Sequence, residues 1–280
     1  MAAYVKQHYI PQFWMRNFSD DKKYVNFVSK SGKESFEKID DLFLFNNLYD
    51  LSEGDAKELE KCLGSLENEA KLIFDKLNRG KEITLSSKEY QTLHIFLKIQ
   101  LSRSKINNNP TVDEEAAVVL NKLYEGKTFN KAWKDFLMAL ACSRTYNDVL
   151  SSNYISEKER MMEYVDFTQK HICVLEIKPT ENVRFVLSDY LPLPYSTGNE
   201  KGWLDLIDFF PISRNRVVVI CFSNFKKLRR DIIPVSVQSL HKPQKDKEGN
   251  YKIRVGTIYK KGVGTINEII KTHCYEGYIY

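Results

Sequence analysis

The sequence predicts an α+β fold with an N-terminal β hairpin, a helical middle and a C-terminal, mostly antiparallel sheet. Two changes of periodicity lead to this prediction. From about residue 54 to 168, apolar residues recur every three or four positions, as on one face of a helix. From about residue 170 to 280, short β-branched and aromatic runs alternate with Pro, Gly and Asn. We interpret residues 1–280 as a single domain.

The N-terminal part is expected to hold a short helix and a hairpin. Pro11 suits the first turn of a helix, where its missing N–H is not needed. Residues 23–38 place apolar positions on both sides of a turn at 29–33, which is typical of a β hairpin. An apolar run at 42–45 then reaches Asn46-Asn47, which indicates a strand entering a turn.

The middle of the chain is expected to be helical. One apolar stripe predicts a helix from about residue 54 that stops at Arg79-Gly80. A serine cap followed by Glu89 predicts the next helix, at 88–105, which is apolar almost all round and therefore central. Further helices are expected at 112–124, at 129–150 and from about Ser156.

The C-terminal part is expected to be a sheet. Its strand signals cover residues 171–177, 183–189, 216–223 and 232–240, with Pro211-Ile212-Ser213 directly before the third of them. Residues 244–261 add a turn and one more strand. The end of the chain is predicted to form a short helix followed by an extended segment.

Composition narrows the function only slightly. Lys and Arg number 42 against 37 Asp and Glu, so the net charge of +5 permits a nucleic acid or another anionic partner without requiring one. With 16 Tyr and 16 Phe, the chain is not disordered as a whole. The start resembles no signal peptide and no run is long enough for a bilayer, so we expect a cytoplasmic protein without a membrane partner. Protein partners are not predictable from these features.

The cysteine pattern argues against disulfides and a structural zinc site. Five cysteines are scattered, odd in number and without a C-x-x-C pair. We therefore predict no metal, and no cofactor, since a phosphate-binding glycine loop is also missing. A mixed His/Cys metal site stays open, because His171 and Cys173 alternate and His273 adjoins Cys274.

Polar residues that interrupt apolar patterns mark the candidate site. Residues 7–18 read QHYIPQFWMRNF, which sets His8, Arg16 and Asn17 in a mostly aromatic run. In the helix at 88–105, Gln100 and Arg103 share a face with buried positions. An inward Arg must be paired or face a cavity, because an unpaired buried charge costs several kcal/mol.

Two further positions complete this set. Glu67 lies on the shoulder of the preceding helix's apolar stripe, and we expect it to pair with Arg103 or Arg16. Ser188-Asp189 end a predicted strand, where side chains project from a sheet edge into a crevice.

In this order the motifs resemble those of a bacterial family, domain-of-unknown-function family 4238. They are QHYIPQFWMRNF, the Glu of SLENEA, FLKIQLSR, FVLSDYLP and FFPIS, between about residues 5 and 225. The first motif is quite specific, and the later ones count through their order. The resemblance marks His8, Pro11, Arg16, Asn17, Phe18, Glu67, Gln100, Arg103, Ser188, Asp189, Pro192, Pro211 and Ser213.

This chain departs from the family pattern at one point, and the family supplies no activity. The family continues Ser-Asp with Asn-Pro, whereas Tyr190-Leu191 stand before Pro192 here, so we expect a different turn after Asp189. The type of family suggests a toxic or phage-defence effector, although no residue of this sequence indicates that setting.

Taken jointly, the polar residues predict one pocket, because they can all be satisfied only if they converge. The first hypothesis is a hydrolase acting on a phosphodiester or nucleotide. In it His8, Glu67 and Asp189 are catalytic, and the substrate is bound by Arg16, Asn17, Gln100, Arg103 and Ser188.

Two alternatives remain open at this stage. The pocket is a non-catalytic sensor or binding module for an anionic ligand or nucleic acid, or the polar set is a buried structural network. For single residues the structural alternative is a core histidine at His8, internal ion pairs at the two arginines, and a strand-end cap at Ser188.

Overall fold

The computed structural model describes residues 6–46, 53–103, 129–189, 193–194, 207–222 and 240–280. The fold is α+β, as predicted, with N-terminal strands, a helical middle and C-terminal sheets rich in antiparallel pairs. The single-domain organisation stays a prediction. Among the described residues, no helix combines the length and the apolar character that crossing a bilayer requires.

The N-terminal part contains the predicted hairpin and one strand that the sequence did not indicate. Its elements are β1 (Lys6–His8), α1 (Gln12–Met15), β2 (Tyr24–Ser29), β3 (Glu34–Lys38) and β4 (Leu44–Asn46). Strands β2 and β3 pair antiparallel across the expected turn, in which Gly32 has a φ of 84° that suits glycine. The unpredicted β1 pairs with β4 and sets His8 opposite Leu44.

The helical middle agrees with the sequence except at two places, the unpredicted strand β5 and the helix predicted at 129–150. It consists of α2 (Glu53–Leu77), β5 (Glu82–Leu85), α3 (Ser87–Ser102), α4 (Phe129–Ala141), α5 (Tyr146–Leu150) and α6 (Glu157–Gln169). Ser86 and Glu89 form the expected capping box. The single helix predicted at 129–150 is wrong, because Thr145 caps a new helix by accepting the backbone N–H of Asp148. The helix predicted at 112–124 lies outside the described residues.

The C-terminal part is a sheet with more strands than predicted. They are β6 (Lys170–Ile177), β7 (Leu187–Ser188), β8 (Leu193–Pro194), β9 (Ile207–Ser213), β10 (Arg216–Phe222), β11 (Gln244–Lys245), β12 (Tyr251–Arg254) and β13 (Gly256–Ile258), followed by α7 (Lys260–His273) and β14 (Gly277–Ile279). The central sheet has the order β13-β6-β10-β9-β8, and only the β13–β6 pair is parallel.

Two strand predictions need correction. The strand expected at 183–189 shrinks to β7, because the backbone N–H groups of Phe185 and Val186 bond to the Arg214 carbonyl and the Asn267 side chain instead of a ladder. Pro211-Ile212-Ser213 precede β10 as predicted, but they also form the end of β9, a strand that the sequence did not indicate, next to a register shift in its pairing with β10. Pro192, most of the strand expected at 232–240 and a basic run at 226–230 lie outside the described residues.

The two ends of the chain share one sheet, of order β3-β2-β14-β7. Strand β14 lies between the N-terminal hairpin and β7. A Cβ atom at Gly277 would collide with the Val28 carbonyl and the Phe27 ring, so only glycine fits this crossing. The N-terminal segment is therefore held by contacts with the C-terminus as well as by its own hairpin.

A buried charged cluster joins α3 to α6. Lys98 Nζ lies 2.9 Å from a Glu163 oxygen and 2.8 Å from an Asp166 oxygen. Although burial opposes it, these two carboxylates raise the pKa of Lys98. Beside the cluster, burial lowers the pKa of His94 to about 3, so this histidine stays neutral at neutral pH; its Nδ1 lies 2.9 Å from the Tyr146 hydroxyl.

His94 makes folding stability depend on pH. Its unfolded form binds a proton near pH 6.5 and its folded form only near pH 3, so the contribution of His94 to stability is lost progressively as the pH falls through that window. We expect the free energy of unfolding to fall by about 2 kcal/mol between pH 6.5 and 5 through this residue alone. Denaturant unfolding of the wild type and His94→Gln at both values measures it as the difference between their pH slopes. Parallel slopes would contradict a neutral, buried His94.

Candidate functional site

Aromatic side chains of the N-terminal segment anchor the site in the core. Trp14 packs edge-on against Phe74 of α2, with ring centroids 5.0 Å apart, and also contacts Phe96 of α3 and Phe210 of β9. Such pairs stabilise by about 0.5–1.5 kcal/mol beyond their buried area. Phe13 packs on the same two helices. The aromatic positions of the first motif therefore fix α1 between the helices and the central sheet.

Two polar contacts fasten the same segment to β9. Trp14 Nε1 donates to the Pro211 carbonyl at 2.7 Å, and Asn17 Nδ2 donates to the Ile212 carbonyl at 3.0 Å. The N-terminal motif and the FFPIS motif thus contact each other directly. Asn17 satisfies a backbone acceptor here, which matches the structural alternative for this residue rather than the substrate-binding one.

The polar residues of the segment form a row on its half-buried side. Arg16 Nη2 donates to Gln12 Oε1 at 2.8 Å, and Gln12 Nε2 lies 3.4 Å from His8 Nε2. Because its oxygen is taken by Arg16, the Gln12 amide directs its N–H towards the imidazole. His8 Nε2 is then an acceptor, and the ring proton resides on Nδ1. We call His8, Gln12 and Arg16 the polar row.

The surroundings of His8 favour the neutral imidazole. Burial lowers the pKa of His8 below 6.5, while the Ile39 backbone and the carboxylates of Asp40 and Glu67 act in the opposite direction. At neutral pH the ring is thus uncharged, and its Nε2 carries a lone pair. A general base needs this state. The nearby carboxylates would stabilise the imidazolium that forms once Nε2 takes up a proton.

Arg16 supplies a positive charge to the row. Its side chain is half-buried, and within the part of the chain that the structure describes no carboxylate lies within the 4 Å of an ion pair with it. The Asp40 carboxylate interacts with the Arg16 charge only at longer range, and it is itself paired with Lys38 Nζ at 2.8 Å. A guanidinium in this situation can accept a phosphate or carboxylate through its planar fork.

Arg103 forms the predicted ion pair with Glu67. Arg103 Nη1 lies 2.6 Å from Glu67 Oε1, and Nη2 donates to the His8 backbone carbonyl at 2.6 Å. The Arg103 side chain is 5% exposed and that of Glu67 26% exposed. The pair joins α2, α3 and β1, and it sets the backbone of His8. Both terminal nitrogens of the guanidinium thus bond within the protein, so Arg103 positions the row.

Gln100 lies one helical turn before Arg103 on the same face of α3. It is 2% exposed, and among the described residues neither its amide nitrogen nor its amide oxygen has a hydrogen-bond partner. A buried amide without partners costs about 1–3 kcal/mol, which is the usual mark of a group awaiting a ligand or a water. Gln100 therefore remains a candidate ligand-binding residue.

Ser188 and Asp189 belong to a different cluster. The Asp189 carboxylate accepts the backbone N–H groups of Tyr275, at 2.8 Å, and Glu276. Burial raises the pKa of Asp189 to about 6 despite those two bonds, and the charge of Glu276 adds to the rise. Ser188 is fully buried in the ladder with β14. The partners of the Asp189 carboxylate are thus backbone groups near the C-terminus.

Tyr9 connects this second cluster with the row. It follows His8 directly and is buried, which raises its pKa; the charges of Asp189 and Glu276 raise it further. Hydrogen bonds thus connect His8, Arg16, Glu67 and Arg103. Asp189 belongs to the second cluster, which is linked to His8 through its neighbour Tyr9.

Sequence reasoning missed Gln12 and Asp40. Gln12 bridges His8 and Arg16, and Asp40 acts on both through its charge. The spacing of positions 12 and 16 is a signal that could have found Gln12, since residues four apart meet on a helix and Arg16 directly follows α1. Asp40 offers no such signal, because the β2–β3 hairpin separates it from His8 and Arg16 in the sequence and only the folded chain brings it near them.

Comparison with known proteins identifies a family and nothing more specific. The family model described as Protein of unknown function (DUF4238) matches residues 6–280. This confirms the suspected family and extends the match from about residue 225 to residue 280. No curated protein and no solved structure matches the chain significantly.

The ion pair of Arg103 and Glu67 should dominate the stability of the site. We expect Arg103→Met to lower the free energy of unfolding by about 3–5 kcal/mol, because it leaves Glu67 and the His8 carbonyl without their partner. The double variant with Glu67→Leu should lose less than the sum of the single variants. Denaturant unfolding of the four proteins gives this coupling.

The matched control is Lys88→Met. Lys88 lies 3.7 Å from Glu69 in an exposed pair, so its loss should change stability by less than about 1 kcal/mol. If the free energy of unfolding of Arg103→Met equals that of this control, the buried pair does not stabilise the site.

Proposed function

Because the chain belongs to DUF4238, a family whose description assigns no function, we propose an activity from the geometry of the chain itself. The proposal is a hydrolase that acts on a phosphodiester or nucleotide at the polar row. One observation carries it: the His8 imidazole is linked, through the Gln12 amide, to the Arg16 guanidinium, which has no carboxylate within ion-pair distance among the described residues.

The proposed reaction uses His8 as the general base. A water or ribose hydroxyl replaces Gln12 as the donor to His8 Nε2 and transfers its proton there as its oxygen attacks phosphorus. The bond from phosphorus to the leaving oxygen breaks, and that oxygen takes a proton from solvent or from the imidazolium. The guanidinium of Arg16 binds the phosphoryl oxygens, where negative charge develops in the transition state.

The remaining residues are assigned by what they contact. Arg103 and Glu67 are positioning residues, because they set the His8 backbone, and the charge of Glu67 favours the protonated imidazole. Gln12 orients both members of the row, and Gln100 is offered as a further substrate contact. Asp189 and Asn17 receive no chemical role in this proposal, because their side chains bond to backbone groups, and Ser188 receives none because it is fully buried.

A second candidate function is the binding of an anion without catalysis. A pocket of about 640 Å³ lies against the sheet of β5, β12 and β11. Its lining includes Lys81, His241, Lys242, Lys252 and Arg254 against the single carboxylate of Glu82. Such an excess of positive charge favours a phosphate-bearing ligand or a nucleic acid end. Under this candidate, the polar row is structural.

The first test measures turnover. The purified protein is incubated with RNA, single- and double-stranded DNA, and nucleotides, alongside His8→Ala. We expect His8→Ala to lower kcat/KM by about 10²–10⁴-fold, since that is what a general base contributes. His273→Ala, which removes an exposed histidine of α7, is the matched control and should retain full activity. Equal turnover by His8→Ala and the wild type would remove His8 from the reaction.

The pH profile and a second variant sharpen the same test. The activity should fall on the acid side with an inflection below pH 6.5, because a base must be deprotonated and the pKa of His8 is lowered. Arg16→Gln should lower kcat as well as raise KM, because the guanidinium binds the phosphoryl oxygens on which the transition-state charge develops. If wild-type protein turns over none of these substrates but binds them saturably, and Lys252→Glu or Arg254→Glu abolishes that binding, the second candidate is supported instead.

The effector setting belongs to the same proposal. Production of the wild-type protein in a bacterial host should slow growth, and production of His8→Ala at equal level should not. Equal growth in both cases would separate the hydrolase proposal from a toxic or phage-defence role.

A further inference from the structure

Three potential metal ligands meet on one face of the central sheet, far from the polar row in the sequence. His171 and Cys173 are two residues apart on β6, so their side chains leave the same face. Cys221 of β10 stands directly opposite His171 in the antiparallel ladder, and Cys173 stands opposite Val219. The register of the ladder therefore places two thiols and an imidazole side by side.

The spacing of these side chains fits a tetrahedral ion. Cys221 Sγ lies 3.4 Å from His171 Nε2, and one ligand atom from each residue lies within 4.8 Å of the other two. Zn²⁺ with bonds of about 2.3 Å to sulfur and 2.0–2.1 Å to nitrogen holds such atoms about 3.5–3.8 Å apart. The three side chains are thus close to the positions they would take around one zinc ion.

The environment is buried and mostly apolar. His171, Cys173 and Cys221 are 6%, 1% and 0% exposed. Their neighbours on the same face are Val219 and, on β9, Ile207 and Phe209, which the ladder sets opposite Cys221 and Val219. A pair of thiolates beside a neutral imidazole balances the two charges of Zn²⁺, so the complex could be buried without net charge.

We propose that His171, Cys173 and Cys221 bind one divalent zinc ion. Binding releases two thiol protons to solvent, and the neutral imidazole gives its Nε2 electron pair without losing a proton. Among the described residues no fourth His, Cys, Asp or Glu joins the cluster, so a water completes the tetrahedron. The site stands apart from the proposed hydrolase, because it shares no residue with the polar row.

The site adjoins the basic pocket through one hydrogen bond. Cys173 Sγ lies 3.3 Å from the backbone carbonyl of His241, and His241 lines that pocket. In that contact the thiol donates to the carbonyl, so loss of the thiol proton on zinc binding would break the hydrogen bond and release the chain at 240–241 from Cys173. The ligands escape a search for C-x-x-C because Cys221 lies far along the chain and is brought to β6 only by strand pairing.

The test is metal binding by the full chain. The protein, kept reduced with a phosphine and stripped with a chelator, is titrated with Zn²⁺ against a chromogenic chelator and separately with Co²⁺. We expect one equivalent of either ion. Bound Co²⁺ should show thiolate-to-metal charge transfer and the intense visible bands of tetrahedral coordination.

Variants locate the ion. Cys173→Ser, Cys221→Ser and His171→Gln should each weaken Zn²⁺ binding by at least about 100-fold, which is the upper end of what loss of an outer-shell partner costs. The matched control is Cys142→Ser, which removes an exposed cysteine and should bind as the wild type does. Affinity unchanged by Cys221→Ser would overturn the proposal.

A second readout covers variants that fail to fold. If circular dichroism shows that the serine variants are unfolded, the wild-type Co²⁺ spectrum decides by itself. Absence of thiolate charge transfer, or less than a stoichiometric amount of tightly bound ion, would show that the three residues form only a hydrogen-bonded cluster in the core.

Discussion

The site depends on how one buried guanidinium is satisfied. Arg103 ends α3 inside the protein, and its charge must be neutralised there. It meets that need by pairing with Glu67 of α2 and by donating to the His8 carbonyl of β1. Three segments that are distant in sequence are thus fixed by one side chain, and the position of His8 follows from theirs.

The opening motif mixes aromatic and polar residues because its two sides have different tasks. Trp14 and its aromatic neighbours fill the space between α2, α3 and β9, and this packing fixes the position of α1. His8, Gln12 and Arg16 remain on the half-buried side, where they bond to one another. The buried aromatic side chains hold the polar ones in place, so an ordered row can form around a helix of only four residues.

Features set by local physical chemistry were predictable from the sequence. The stripe of α2, the capping box of Ser86 and Glu89, and the β2–β3 hairpin each depend on residues a few positions apart. The pair of Arg103 and Glu67 was also predictable, because a charge on an apolar face requires a partner and the preceding helix offers one. The family match over residues 6–280 agrees with the order of these motifs.

Features set by long-range pairing were not predictable. Strand β14 joins β2 across most of the chain, and Asp189 finds backbone partners near the C-terminus instead of an arginine. Strands of two or three residues, such as β7, leave too little periodicity to detect. The three candidate zinc ligands likewise meet only through the register of β6 and β10, which a single sequence does not reveal.

The central claim is that the fold holds His8 as a neutral imidazole with Nε2 as the acceptor. Nitrogen-detected NMR of the histidine side chains across a pH titration measures both the tautomer and the pKa of this ring directly. The account predicts a proton on Nδ1 and a midpoint below 6.5 for His8. A proton on Nε2 at neutral pH, or a midpoint at or above 6.5, would contradict it.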